Sequence, residues 1–391
     1  MKKKILFCAT VDYHFKAFHY PYMEWLQAQG WEVHVAAGGE MALKFTDVQC
    51  PIPIQRSPFS MQNVHAYRQL KQLIATHKYD IICCHTPLGG ALARLAARKW
   101  RQHGTKVIYT AHGFHFCKDA SFMNWLLYYP IEKYLALHTD HLITINTEDF
   151  QLAKGHRFRA REIVHVHGVG VDTIRFQPVD ERVKQDWKQS FGYKPDDFLL
   201  FNASEFNQNK NQRFLLYALA QLQQELPGLP NIKLLLAGEG PLLEACQRLA
   251  VDLGIDHMVD FLGFRNDICD ILPRCDVAVA SSYREGLPVH MMEAQACGLP
   301  VVATDNRGHR ELVVQGKNGW LIKRNDVADF VVKLKKLATE PNRRKQMGIY
   351  ARQRIQTGYS LNRVMQQRLP IYQTYMQQTS EQKEVSLWAA H

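Results

Sequence analysis

Asp276-Val-Ala-Val-Ala280, Ser282-Tyr-Arg-Glu-Gly-Leu-Pro-Val-His-Met-Met-Glu-Ala-Gln-Ala-Cys-Gly298 and Pro300-Val-Val-Ala303 follow one another almost without interruption. Two short apolar runs enclose a segment with helical start and stop signals, which is the layout of a βαβ crossover. Pro288 suits the first helical position, while Gly298 and Pro300 end the helix. The helix is then about ten residues, or roughly 15 Å at 1.5 Å per residue. Turning each residue by about 100° brings Glu293 beside the stripe of Val289, Met292 and Ala296, on the buried side, where a carboxylate needs partners. Glu285 falls in the loop at the carboxyl end of the first strand, where open α/β sheets bind ligands and helix N-termini attract phosphate. A polyhydroxyl group attached to a phosphate would satisfy both acids and the helix N-terminus together.

The same alternation extends in both directions. Strands are predicted at Ile5–Thr10, Trp31–Ala36, Ile81–His85, Lys106–Ala111 and His141–Asn146, and again at Phe198–Asn202, Ile232–Ala237, Met258–Leu262, Val277–Ala280, Val301–Thr304 and Gly319–Ile322, with helical stretches between. The fold class is therefore α/β, with two Rossmann-like halves built on parallel sheets. Gly168-Val-Gly-Val-Asp-Thr-Ile-Arg-Phe-Gln-Pro178 is punctuated like a hinge, giving domains at 1–176 and 177–360. Residues 361–378 form a last helix, and the polar 379–391 tail has little to pack and is expected to fray.

Composition sets the outer bounds. A chain of 391 residues suits two domains of about 150–200 residues each. A net charge of +11 implies an anionic partner. No zinc-finger, basic-zipper or RNP pattern occurs and aromatics do not alternate with Lys/Arg, so no nucleic acid is expected. The nine cysteines are scattered without Cys-x-x-Cys spacing, which suggests neither a disulfide framework nor a zinc site and fits a reducing cytoplasm. No metal and no cofactor are expected. No apolar run reaches the roughly 18 residues of a membrane span, and Asp12 and His14 cut short the apolar start, which reads as a strand rather than a signal peptide. Gly238-Glu-Gly-Pro241 does not complete a G-x-G-x-x-G fingerprint, which argues against a dinucleotide oxidoreductase.

Glu285 and Glu293, with seven residues between them, give the chain an E-x7-E segment that resembles the signature of the retaining glycosyltransferases of family 4. The similarity runs from about residue 4 to about 378. It implies the GT-B fold, two Rossmann-like domains whose parallel sheets face each other across a cleft, the first binding the acceptor, the second the nucleotide-sugar, with the 361–378 helix crossing back to the first. By this resemblance Glu285 contacts donor-sugar hydroxyls, the amides of Gly286 and Leu287, just ahead of Pro288, meet the sugar or diphosphate, and Glu293 holds the ribose hydroxyls. Ala203-Ser-Glu-Phe-Asn-Gln-Asn-Lys-Asn211 matches the diphosphate loop, so Lys210 would offset the charge that gathers on the leaving nucleotide. Glu205 departs from the pattern, standing where many relatives have Arg; Arg265 or Arg307 would compensate, or the site is less cationic. Arg307 is weighed equally against a pair with Glu311, four residues on. Gly238, Gly240, Phe264 and Arg265 would frame the nucleotide base.

In the first half, Thr110-Ala-His-Gly-Phe-His-Phe116 resembles the family's His-Gly-Phe-His segment, which places His112 near the reacting sugar and makes His112, Lys210 and Glu285 the catalytic set. Val11-Asp-Tyr-His-Phe-Lys-Ala-Phe-His-Tyr-Pro21 and His85-Thr-Pro-Leu-Gly-Gly90 follow strands on the same edge, so His14, Phe18 and His85 are acceptor candidates, the first loop reading equally as a helix start packed with aromatics; His115, from the His-Gly-Phe-His segment, is the fourth candidate. Phe122-Met-Asn-Trp-Leu-Leu-Tyr-Tyr-Pro-Ile-Glu-Lys-Tyr134 has two open readings, packing of the core or resting on an anionic membrane at its cytoplasmic face. The implied activity is a retaining, metal-independent hexosyl transfer, for Asp-x-Asp is absent. The donor is a nucleotide-sugar, with UDP implied, and the acceptor a glycan or lipid-linked glycan in capsular or exopolysaccharide synthesis. The alternatives are an epimerase or phosphorylase of the same fold, or a non-catalytic sugar-nucleotide-binding scaffold.

Overall fold

The computed structural model describes residues 2–225 and 231–388, with side chains described to residue 377. The chain divides into two compact units, Met1–Val169 with Val364–His391, and Gly170–Arg363. The boundary predicted at 176/177 lies earlier because Val171 bridges Ser360, with the Val171 N–H donating to the Tyr359 carbonyl at 3.0 Å, and this ties the hinge segment to the second unit.

The first unit holds strands β1 Lys4–Val11, β2 Glu32–Gly38, β3 Val48–Pro51, β4 Ile81–His85, β5 Lys106–Ala111, β6 His141–Thr144 and β7 Glu162–His165. They form a parallel sheet in the order β3-β2-β1-β4-β5-β6-β7. The second holds β8 Phe198–Ala203, β9 Ile232–Ala237, β10 Val259–Gly263, β11 Val277–Ala280, β12 Val301–Thr304 and β13 Gly319–Ile322, parallel in the order β10-β9-β8-β11-β12-β13. Both sheets are buried on two faces, which is why their central strands are continuous apolar runs. In β1, Leu6 and Cys8 pack one core and Ile5, Phe7 and Ala9 the core on the opposite face. The edge strands β3 and β7 are not foreseen from sequence, since Val48-Gln-Cys-Pro51 and Glu162-Ile-Val-His165 are short and only half-buried.

In each sheet the strand order reverses beside the first strand, between β1 and β4 and between β8 and β11. The loops leaving such neighbours diverge to opposite faces and open a crevice at the carboxyl edge. The last helix, Leu361–Trp388, lays Val364, Ile371, Tyr372 and Tyr375 into the core of the first unit. It runs through the stretch expected to fray, because Glu381, Gln382, Lys383 and Glu384 are good helix formers; residues 389–391 lie outside the described residues.

One buried ion pair fixes the Phe122–Ala136 helix to the first sheet. Arg94 Nη2 donates to Glu132 Oε2 at 2.9 Å, the Tyr109 hydroxyl to Glu132 Oε1 at 3.2 Å, and the guanidinium lies 3.7 Å from the Tyr109 ring centre. Glu132→Ala leaves the Arg94 charge unpaired and should destabilise this unit by about 3–5 kcal/mol. Urea unfolding followed by fluorescence checks this; an unchanged midpoint would contradict it.

Candidate functional site

The crevice of the second sheet is built from three loops. The loop after β8 carries Lys210, the loop after β11 carries Glu285, and the Arg307–Leu312 helix follows β12. The first two are cross-tied: Tyr283 N–H donates to the Asn209 carbonyl at 2.8 Å, Asn209 Nδ2 to the Arg284 carbonyl at 3.0 Å, and Ser281 Oγ to the Lys210 carbonyl at 2.8 Å. Lys210 Nζ then reaches Glu285 Oε1 at 2.6 Å. Burial pushes the Glu285 carboxyl up, but the Lys210 ammonium, together with His309 and a hydrogen bond from Ser282, holds the group below its ordinary value. From the third loop, Thr304 Oγ1 and Asn306 Nδ2 both donate to the Ser282 carbonyl at 2.9 Å, and Arg307 Nε donates to the Glu285 carbonyl at 3.0 Å. A Cβ on Gly308 would stand 2.7 Å from Glu285 Cβ, so only glycine permits this approach. Arg307 is buried and braces the loop, a role its pattern in the sequence does not show.

At the carboxyl ends of β8, β9 and β10 lies a cavity of about 350 Å³ lined by Ser204, Glu205, Gly238, Phe264, Arg265 and neighbouring residues. Phe264 is 68% exposed at its rim. Arg265 does not compensate for Glu205: its guanidinium is bound by Asp267 through both nitrogens, Nε to Oδ1 at 2.8 Å and Nη2 to Oδ2. Glu205 instead accepts from Asn207 Nδ2 at 3.0 Å. Gly238 and Gly240, at φ of 140° and 149°, press on the backbone of Ser204 and Phe206, where a Cβ would collide. Leu287 and Pro288 are buried, with Pro288 as N-cap of the Val289–Ala296 helix rather than its first residue. On that helix Glu293 is half-buried, and burial, only partly opposed by Arg175, raises its carboxyl from 4.5 to about 7.

In the first unit, His14, His85 and His112 meet at the β1/β4 switch, with Phe18 at 5.1 Å from the His14 ring. His112 Nε2 lies 3.4 Å from His85 Nδ1. His115 is not with them; its ring stacks on Tyr128 at 4.6 Å. Of the Phe122–Ala136 helix, Trp125, Tyr128 and Tyr129 pack the core, as one of the two readings of this segment has it, while Phe122, Met123, Leu126, Ile131 and Tyr134 are exposed.

Residues 20–170 match the glycosyl transferase 4-like domain, and residues 183–354 match the glycosyl transferases group 1. A Bacillus subtilis (strain 168) protein with the provisional name glycosyltransferase EpsD is 49% identical over 98% of this chain and 100% of its own. The chain belongs to the group 1, family-4-like glycosyltransferases. An Escherichia coli member, the UDP-Gal:alpha-D-GlcNAc-diphosphoundecaprenol alpha-1,3-galactosyltransferase, is 30% identical over 70% of this glycosyltransferase and 72% of its own length. Among solved structures, Anabaena Alr3699/HepE with UDP and glucose superposes with a TM-score of 0.77 at 19% identity, covering 95% of this chain and 100% of that one. The lipopolysaccharide-biosynthesis glycosyltransferase WaaG gives 0.73 at 18% identity, over 91% and 97%. The fold of this glycosyltransferase is thus GT-B.

Sequence reading misses three residues of these sites. Arg175, the cation nearest in effect to Glu293, hides in the hinge. His309, whose Nδ1 lies 2.5 Å from the Thr304 carbonyl, follows Asn306 in a helix start that looks ordinary. His19 lies five residues after His14, a spacing that no regular helix face explains. The raised Glu293 has a sign that can be tested. The unfolded carboxyl ionises near 4.5 while the folded one keeps its proton to about 7, so the stability of the second unit falls as pH rises through that window, by up to about 3 kcal/mol. Glu293→Gln should remove this slope; equal slopes in urea titrations from pH 4.5 to 7.5, which spans the window, would contradict it.

Proposed function

We propose that this glycosyltransferase takes a hexosyl group from a UDP-sugar bound at the β8/β11 crevice and transfers it with retention to a lipid-linked glycan in extracellular or capsular polysaccharide synthesis. The observation that carries the reading is the Lys210–Glu285 pair at 2.6 Å, with Lys210 on the same loop whose Ser204 and Glu205 line a cavity of about 350 Å³. A diphosphate entering here competes for Lys210, which frees the Glu285 carboxylate to accept hydrogen bonds from the sugar. As the glycosidic bond breaks, charge builds on the diphosphate, and Lys210, with the N-terminus of the Val289–Ala296 helix, stabilises it where a metal would otherwise be needed. The leaving phosphate oxygen then takes the acceptor proton on the same face. Glu293 accepts from the ribose hydroxyls, and Phe264 offers its exposed ring to the base. The Anabaena neighbour holding UDP supports the nucleotide, and the Escherichia coli relative, named for a diphosphoundecaprenol substrate, supports the acceptor. On the acceptor side stand the His14, Phe18 and His85 loops, and the sugar contact of His112 stays assigned by resemblance.

A lipid-linked acceptor calls for a membrane surface. Among the described residues no helix is long and apolar enough to cross a membrane. The exposed face of the Phe122–Ala136 helix is apolar although its other face already fills the core, and at its end Arg98, Lys99, Arg101, His103 and His138 line a cavity of about 690 Å³. Arg101 Nη1 donates to the Leu137 carbonyl at 2.8 Å, which joins the basic cavity to the apolar face. Apolar side chains flanked by cations suit the inner leaflet, where anionic headgroups meet acyl chains.

Thermal shift with UDP, GDP and ADP tests the donor site: UDP should raise the melting temperature, and Glu293→Ala or Lys210→Ala should abolish the rise in a folded protein. In a transfer assay Glu285→Ala and Lys210→Ala should each lower kcat by about 10²–10³, and wild-type rates in both would sink the assignment. For the membrane, sedimentation with phosphatidylglycerol vesicles should carry down wild type but not a Phe122→Ser/Leu126→Ser variant, and equal recovery with neutral vesicles would count against the charge component.

A further inference from the structure

Four histidines, not three, meet at the switch point of the first sheet. His14 and His19 come from the segment after β1, His85 ends β4, and His112 lies in the loop after β5. One ring nitrogen of each lies within 4.8 Å of the other three. Two of these separations are short: His14 Nε2 to His19 Nε2 is 3.2 Å, and His85 Nδ1 to His112 Nε2 is 3.4 Å. A tetrahedral ion with metal–nitrogen bonds of about 2.0–2.1 Å sets its ligand nitrogens about 3.3–3.4 Å apart. His14, His19 and His85 are buried, and His19 Nδ1 and His85 Nε2 have no hydrogen-bond partner there. These are the opposite ring nitrogens to the ones in the short contacts; His14 Nε2, His19 Nε2, His85 Nδ1 and His112 Nε2 are the atoms placed to hold an ion.

We propose that His14, His19, His85 and His112 bind one borderline transition-metal ion, of the Zn²⁺, Co²⁺ or Ni²⁺ type, at the carboxyl edge of the first sheet. The ligand set selects this class: imidazole nitrogens suit these ions, and the absence of a carboxylate from the set disfavours Mg²⁺ and Ca²⁺. The charge that faces the cluster is the Arg368 guanidinium, held by Thr110 Oγ1 at 2.8 Å and lying 4.8 Å from the Tyr22 ring centre; it weakens cation binding without altering the geometry. The site shares no residue with the diphosphate loop, but it takes His112, the residue assigned by resemblance to the reacting sugar, so an ion held here would compete with that contact for the His112 imidazole. Its ion would fix the rings of the loops proposed to face the acceptor.

The test uses the full-length, tag-free chain, stripped by a chelator and titrated with Co²⁺. The expected result is an intense visible d–d spectrum of tetrahedral Co²⁺ that saturates at one ion per chain, is displaced by Zn²⁺, and accompanies a rise in melting temperature. His19→Gln and His85→Gln should weaken Co²⁺ binding at least about tenfold. His112→Gln, at a half-buried position, serves as a second variant if circular dichroism shows that the buried ones do not fold. A wild-type chain without the tetrahedral spectrum, or a folded His112→Gln chain with unchanged affinity and spectrum, overturns the proposal.

Discussion

The contact between Lys210 and Glu285 is the constraint on which the second unit turns. Two opposite charges about 4 Å apart attract by about 4 kcal/mol at an effective dielectric near 20, enough to hold the pair but little enough for a ligand of greater charge to displace one partner. That balance requires both loops to stay where they are when the pair opens. The structure meets the requirement with backbone ties: Asn209, Tyr283 and Ser281 join the loops to each other, and Arg307, Thr304 and Asn306 join the Glu285 loop to β12. The side chains are thus free to exchange partners on a fixed frame, which is the preorganisation that electrostatic catalysis needs.

The frame itself follows from topology. Because β8 and β11 are adjacent while their following helices cross to opposite faces, the loops that carry the two residues open toward the same crevice although 75 positions separate them. The first unit repeats the arrangement with β1 and β4, and there the crevice is filled by aromatic and imidazole rings rather than by charge. Two copies of one strand order therefore carry different chemistry.

Much of this is legible in the chain. Central strands such as Ile81–His85 and Val277–Ala280 are read to the residue because parallel strands buried on both faces must be apolar throughout. Glu285 and Lys210 stand out because they fall in loops after such strands and Glu293 because it is a carboxylate on the inner side of a short helix, and family resemblance gives their spacing meaning. Edge strands β3 and β7 lack the apolar run and go unseen. The pairings of Arg265 with Asp267 and of Arg307 with a backbone carbonyl go unseen for a different reason: a cation shows its charge in sequence but not its partner. His19, Arg175 and Arg368 enter through tertiary proximity alone, which no local pattern encodes.

The most direct measurement is a crystal structure of the protein with UDP bound. The account predicts the diphosphate within hydrogen-bonding distance of Lys210 Nζ, the Lys210–Glu285 contact opened, and the ribose on Glu293. A nucleotide bound at another crevice, or bound here with the Lys210–Glu285 contact intact and Glu293 untouched, would contradict it.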